Sequence, residues 1–174
     1  MRVIAGQYGG RRLQAPKGAA TRPTADRVRE ALFSVLGDLT GLTVLDLFAG
    51  SGALGIEALS RGAIEATFVE RAQPALAALT ANLEALQLEA EVRSQDARAF
   101  LRNAREAKRS YDLVFLDPPY RDAEHLGREL DLTTVIAPHG RLVVESDRRV
   151  PVPIELPITF ERRYGDTLIR IHGH

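Results

Sequence analysis

The sequence contains no cysteine among its 174 residues. That excludes a disulfide framework, a zinc–thiolate centre and a thiol nucleophile, and it suits the cytoplasm. No stretch is apolar over the length a membrane span needs, so no membrane partner is expected. The opening Met1-Arg2-Val3-Ile4-Ala5-Gly6 lacks the long apolar segment of a secretory signal. His125, His139, His172 and His174 show no ligand spacing, so no metal is expected. Ser34, Ser51, Ser60, Ser94, Ser110 and Ser146 sit in no nucleophile-elbow context. Internal repeats and low-complexity tracts are absent too, and the length fits a single domain around one core.

Net charge is also missing, but the zero is an average. Residues 1–37 carry seven basic and two acidic residues, a net +5, and the remainder carries 16 and 21, a net −5. A basic patch attracts phosphate whatever the total charge; the alternative is a solvated, arginine-rich leader.

What is present is alternation. Arg2–Gly6 and Arg12–Ala15 can pair across Gly9-Gly10 as a hairpin. Thr24 is placed to cap a helix to about Leu36, with Val28, Leu32, Val35 and Leu36 on one face and Gly37 as its stop. From Leu42 onward, apolar strand runs at 43–47, 66–70, 91–93, 112–116 and 141–145 alternate with helices at 53–61, from Pro74, and from Asp96 to about Lys108. A short helical region is expected after residue 119, and 158–163 with 167–172 read as a closing hairpin around Gly165-Asp166. Strand–helix–strand repeats imply an α/β fold: a parallel sheet with right-handed crossovers and helices on both faces. Ligands of such sheets bind beyond the carboxyl ends of the strands, where Asp46, Glu70, Asp96 and Asp117 stand.

Gly50-Ser51-Gly52-Ala53-Leu54-Gly55 follows a strand and opens a helix, and Glu70 lies 20 residues after Gly50. The motif alone admits both NAD and S-adenosylmethionine. Asp46, four residues before Gly50, separates them. A carboxylate there repels a pyrophosphate but favours a sulfonium and an ammonium group. Its plain structural role would be a helix cap or a salt-bridge partner. Glu70 is placed to accept bonds from ribose hydroxyls, and Asp96 either takes an adenine amino group or simply caps its helix.

Asp117-Pro118-Pro119-Tyr120 ends the fourth strand, and two prolines fix the backbone there. The corner holds a carboxylate and a free carbonyl, with a ring just beyond. An exocyclic base amine is a poor nucleophile because its lone pair is delocalised into the ring. Two fixed acceptors, Asp117 and the Pro118 carbonyl, draw it toward tetrahedral geometry and free the lone pair. Tyr120 can stack on a base turned out of its helix.

These residues resemble the class I Rossmann-like methyltransferases and, more narrowly, the bacterial RsmD family. The resemblance rests on 2–13, on Thr21-Arg22-Pro23-Thr24-Ala25-Asp26-Arg27-Val28-Arg29-Glu30-Ala31-Leu32-Phe33, on the glycine loop and on Asp117–Tyr120. The last residue of the catalytic motif is phenylalanine in some relatives. The resemblance implies a seven-stranded sheet with an antiparallel last strand, preceded by a short hairpin and helix extension. It implies methyl transfer from S-adenosylmethionine to a guanine N2 of 16S ribosomal RNA, in an assembling small subunit, by a monomer. Asp117, Pro118, Pro119 and Tyr120 would be catalytic. Asp46, Phe48, Gly50, Ser51, Gly52, Glu70, Arg71, Asp96 and Ala97 would hold the donor. Arg11, Arg12, Arg22, Thr24 and Arg27 would contact RNA from an extension spanning 1–37, with 38–174 as catalytic core. The alternatives are a DNA adenine-N6 methyltransferase, for which no target-recognition domain fits, an NAD-dependent oxidoreductase, and a non-catalytic RNA-binding protein.

Overall fold

A computed structural model describes residues 1–16, 26–119 and 130–173. Its elements run α1 (Asp26–Leu36), β1 (Thr43–Leu47), α2 (Ala53–Ser60), β2 (Glu65–Glu70), α3 (Gln73–Leu86), β3 (Glu91–Ser94), α4 (Ala97–Glu106) and β4 (Tyr111–Leu116). A 3-10 turn (Thr133–Val135) leads into β5 (Ile136–Asp147), followed by β6 (Ile158–Tyr164) and β7 (Thr167–His172). The seven strands form one sheet in the order β3-β2-β1-β4-β5-β7-β6. Strands β1 to β5 pair in parallel, and β7 is antiparallel to both its neighbours. This is the expected sheet. Its inner parallel strands are legible because they are buried on both faces and read as apolar runs, whereas β3, at the edge, is part exposed and gives the weaker signal of Glu91-Val92-Arg93.

Alternation along each strand divides the core in two. Val44, Phe68, Leu113, Phe115 and Val143 face a cluster completed by α1, α2 and α3. Leu45, Leu47, Val69, Val114, Leu116, Leu142 and Val144 face the other, completed by α4. In α1 the inward stripe is Val28, Arg29, Leu32, Phe33 and Leu36, with the Phe33 ring 5.7 Å from that of Phe115. Val35, expected on that face, is 40% exposed. At 100° per residue it lies roughly 90° off the centre of the stripe, and the bulkier Phe33 takes the inward place.

The N-terminal segment pairs as expected but turns differently. Arg2 and Arg12 form an antiparallel bridge, and Gly10 and Arg11 lie opposite Val3. The connection is the longer stretch between them rather than a two-residue Gly9-Gly10 turn. Helix α2 holds it. The Glu57 carboxylate, wholly buried, accepts from the Ile4 and Ala5 amides at 2.7 and 3.1 Å, and Ser60 Oγ accepts from the Tyr8 amide at 3.0 Å. Strand β5 begins five residues earlier than its apolar run suggests, and the helical region expected after 119 falls at 120–129, outside the described residues. Among the described residues no helix is long and apolar enough to cross a membrane.

Candidate functional site

Strand β1 sits between β2 and β4, so the backbone of Asp46 is fully paired and its side chain goes to the α2 side of the sheet. Asp46 is 2% exposed, and its Oδ2 accepts from the Gly55 amide at 2.9 Å. Burial pushes its carboxyl from an ordinary 3.8 to about 7; the Gly55 bond works against this and the negative charge of Glu70 adds to it. The structural role considered for Asp46 is therefore realised as well, since the bond closes the first turn of α2. Gly55 is required for it. A Cβ there would stand 2.3 Å from the Phe68 ring and 3.2 Å from Asp46 Oδ2. Between Asp46 and Gly50 the chain turns through Phe48 in the left-handed region, φ 63°, an uncommon state for a bulky residue. Gly50, Ser51 and Gly52 follow, and Gly52 opens α2 with φ 80°.

Next along the sheet, the Glu70 carboxylate accepts from the Gly50 amide at 2.9 Å and from the Arg71 and Ala72 amides at 2.8 Å. It ties the glycine loop to the end of β2. Arg71 pairs with Asp96 at 3.3 Å, and Asp96 caps α4 by accepting from the Arg98 amide at 2.9 Å, with Ala97 buried behind it. Asp46, Phe48, Gly50, Ser51, Gly52, Glu70, Arg71, Asp96 and Ala97 thus form one continuous rim across the ends of β1, β2 and β3. Asn82 of α3, unnoticed in the sequence, braces it. Its Nδ2 donates to the Ser51 carbonyl at 2.9 Å while its Oδ1 accepts from the Gln14 amide at 2.7 Å.

Asp117 follows β4 directly, then Pro118, buried, and Pro119, exposed. Asp46 lies opposite Phe115, and Asp117 is two residues further on, so the two acids stand on the order of 8 Å apart along adjacent strands. Asp117 is partly exposed, but surrounding protein desolvates its carboxyl. Its pKa is raised well above 3.8, first by burial, then by Glu145, then by Asp46. The two acidic corners therefore share one site. Among the described residues no basic group contributes to either shift. Glu145, 5% exposed at the end of the apolar run of β5, is a further candidate that sequence reasoning missed. The strand-end rule that selected Asp46, Glu70, Asp96 and Asp117 finds it when carried to the fifth strand.

The basic candidates are more scattered. Arg11 donates to the Ala85 carbonyl at 3.2 Å, near the far end of α3, roughly 18 Å by helix rise from the end beside Glu70. Arg12 and Arg27 are exposed. Arg22, Thr24 and Tyr120 lie outside the described residues. Among the described residues no group of three or more His, Cys, Asp or Glu could hold a metal ion.

The family model described as "Conserved hypothetical protein 95" matches residues 1–173. The Bacillus subtilis (strain 168) protein YlbH is 40% identical over 180 residues, covering 99% of this chain and 98% of that protein. The Haemophilus influenzae "Ribosomal RNA small subunit methyltransferase D" is 37% identical over 158 residues, covering 87% of this chain and 81% of that one. Among solved structures, a hypothetical protein of Thermus thermophilus superposes with a TM-score of 0.86 at 30% identity, covering 100% of this chain and 99% of that one.

Proposed function

The chain belongs to the family its residues 1–173 match, the RsmD family, with the Rossmann-like class I methyltransferase fold, and on that premise we propose that it methylates ribosomal RNA, moving a methyl group from S-adenosylmethionine to the exocyclic N2 amine of one guanine of 16S RNA in an assembling small subunit. Ribosomal RNA methylation is the activity its curated relatives are named for. The donor, the guanine amine and the assembling subunit are our reading of the site.

One observation carries it. Asp46 and Asp117 are desolvated acids on adjacent strands, and no cation among the described residues stabilises either. Ionised, such groups are costly unless a positive charge is brought to them. A pyrophosphate would add negative charge to this place; a sulfonium with an ammonium group supplies the missing sign. The loop fits as well: a Cβ at Gly50 would meet only the Phe48 carbonyl, 4.0 Å away, so that face is open, while Gly52 and Gly55 let the loop pack on Leu79 and Phe68. When bound there, S-adenosylmethionine supplies an electrophilic methyl on a cationic sulfur.

The chain's own residues do the rest. Asp46, Phe48, Gly50, Ser51 and Gly52 would face the donor's charged end. Glu70 would offer its carboxylate to the ribose hydroxyls, and Arg71, Asp96 and Ala97 would border the base. Asp117 and the Pro118 carbonyl accept the two N–H bonds of the acceptor amine. Pro118 and Pro119 hold the corner rigid, so no reorganisation is needed as charge develops on the nitrogen. Tyr120 would stack on the extruded base. Arg11, Arg12, Arg22, Thr24 and Arg27 would contact phosphate from the N-terminal segment.

The test supplies labelled-methyl S-adenosylmethionine and small ribosomal subunits that lack base methylation. Label should appear on one guanine N2 of the RNA. Label on another atom would sink the guanine assignment, and none at all would sink the RNA reading.

A further inference from the structure

The body of the chain, residues 38–174, carries a net −5, yet one corner of it reverses the sign. Across Asp147–Arg149 and Glu161–Arg170, five arginines stand against three carboxylates, a net +2. The two stretches meet because Thr167 of β7 pairs with both Asp147 of β5 and Tyr164 of β6. This corner lies at the carboxyl end of β5, which runs parallel to β4 and pairs with it as far as Leu116 and Val144. The turn at Arg148-Arg149 and the Asp117–Pro119 corner therefore leave the sheet at the same end, from adjacent strands. In sheet order the acceptor corner on β4 stands between two basic surfaces. One is this patch, on β5, β7 and β6; the other is the N-terminal segment, held by α2 and α3, which connect β1 to β3.

The carboxylates of the patch are shared too widely to neutralise it. A single oxygen of Asp166, Oδ1, serves both Arg148 and Arg149 at 3.3 Å. Glu161 serves Arg170 at 2.8 Å and Arg163 only at 3.9 Å. The Arg162 guanidinium lies over the Tyr164 ring, 5.5 Å from its centroid. Arg148, Arg149, Arg162 and Arg163 are all exposed, and exposed pairs of this kind add little stability, so the fold has small need of them. The backbone that carries the first two is nonetheless fixed. The Arg149 amide donates to Asp147 Oδ1 at 2.8 Å, the Val150 amide to the Asp147 carbonyl at 3.1 Å, and the Arg148 amide to the Asp166 carbonyl at 2.9 Å.

We propose that Arg148, Arg149, Arg162 and Arg163 form a second phosphate-contacting surface, which holds the RNA backbone on the side of the acceptor nucleotide away from the N-terminal segment. The acids at the ends of β1 and β4 repel phosphate, so an RNA strand that offers one base to them needs cations around the pocket rather than inside it. Guanidiniums on a fixed turn supply these, and each phosphate they take up displaces a share of Asp166 or Glu161. The inference rests on the reading of the acceptor as RNA.

The experiment measures binding of the full chain to protein-free small-subunit ribosomal RNA, and to small subunits, over a range of salt. Arg148→Ala with Arg149→Ala should weaken binding by about tenfold near 0.1 M salt and lower the slope of log affinity against log salt by about one to two. Arg162→Ala with Arg163→Ala should do the same. Asp166→Asn releases both guanidiniums of the turn and keeps the backbone bond to Arg148. It should tighten binding and steepen the slope, which no loss of fold can produce. Donor affinity, read by calorimetry, should stay within about threefold in all three. Slopes that ignore both arginine pairs, or an Asp166→Asn variant that binds no more tightly, overturn the surface. Weakened binding to subunits but not to protein-free RNA assigns these arginines to an acidic ribosomal protein and overturns the phosphate contact. RNA binding that depends on them, with no methyl transfer by the wild type, overturns the methyltransferase reading alone.

Discussion

Replacing Asp46 with asparagine should stabilise the free protein, and by an amount that depends on pH. The side chain is 2% exposed and its carboxyl is pushed from 3.8 to about 7. A carboxyl whose folded value is raised binds its proton more tightly in the folded state. Its penalty is absent below the unfolded value, grows as pH rises from about 4, and is complete once pH passes about 7. Three units at 1.36 kcal/mol each give about 4 kcal/mol of penalty at pH 8 and under half of that at pH 5. Asparagine cannot ionise, and its carbonyl can still accept from the Gly55 amide. Urea unfolding without cofactor, at both pH values and with unchanged m, measures the difference. The variant should gain about 2 kcal/mol more at pH 8 than at pH 5. In exchange it should bind S-adenosylmethionine about 10- to 100-fold more weakly, having lost a desolvated charge facing a cation. A gain equal at both pH values, or none, would show that Asp46 is not held in a neutral-leaning state.

Three further outcomes are expected. Asp117→Ala should abolish methyl transfer while leaving donor affinity within a few-fold, as read by single-turnover kinetics beside calorimetry. Arg11→Ala with Arg12→Ala should weaken RNA binding and flatten its dependence on log salt by about one to two, the contribution of two phosphate contacts; an unchanged slope removes these arginines from the RNA surface, as the tie of Arg11 to Ala85 would then explain. Glu57→Ala should cost roughly 2–4 kcal/mol in unfolding and expose the first residues to protease, because it strands the Ile4 and Ala5 amides and leaves Arg61, 2.8 Å away, without its partner.

The alternating core was legible because its signals are local. Parallel strands are short apolar runs, and the leucines at 76, 79, 83 and 86 keep helical spacing and are buried. The acids at the strand ends were legible because each closes such a run. Glu145 closes the run at 141–145 in the same way and was passed over, although β5 itself begins earlier, at Ile136. Arg29, Glu57 and Asn82 gave no sign at all. In sequence they are polar residues on amphipathic helices, where a solvent-facing place is the ordinary expectation. Their partners lie 27, 53 and 68 residues away, at Arg2, Ile4 and Gln14. What covers them is the N-terminal segment folding back over α1, α2 and α3, and no local periodicity encodes that. The Gly9-Gly10 turn failed for the same reason: Glu57 and Ser60 hold the loop open in a shape that two-residue turn chemistry does not foresee.

The buried polar groups then separate by how they are satisfied. Glu57 and Asn82 are matched by backbone amides and carbonyls of the chain itself, so each can be understood as structure. Asp46, buried, and Asp117, partly exposed but desolvated, are not matched in charge by any of the described residues. Their acidity is displaced upward with no cation among the described residues to offset it, and Phe48, two residues after Asp46, holds a left-handed conformation. Departures from local rules that the fold does not compensate mark places kept for something other than stability. Here the acidic ones converge on the ends of β1, β4 and β5, and all carry the same sign. A site that holds protons when empty, and crowds negative charge as they leave with rising pH, is one whose stability should depend on a cationic occupant.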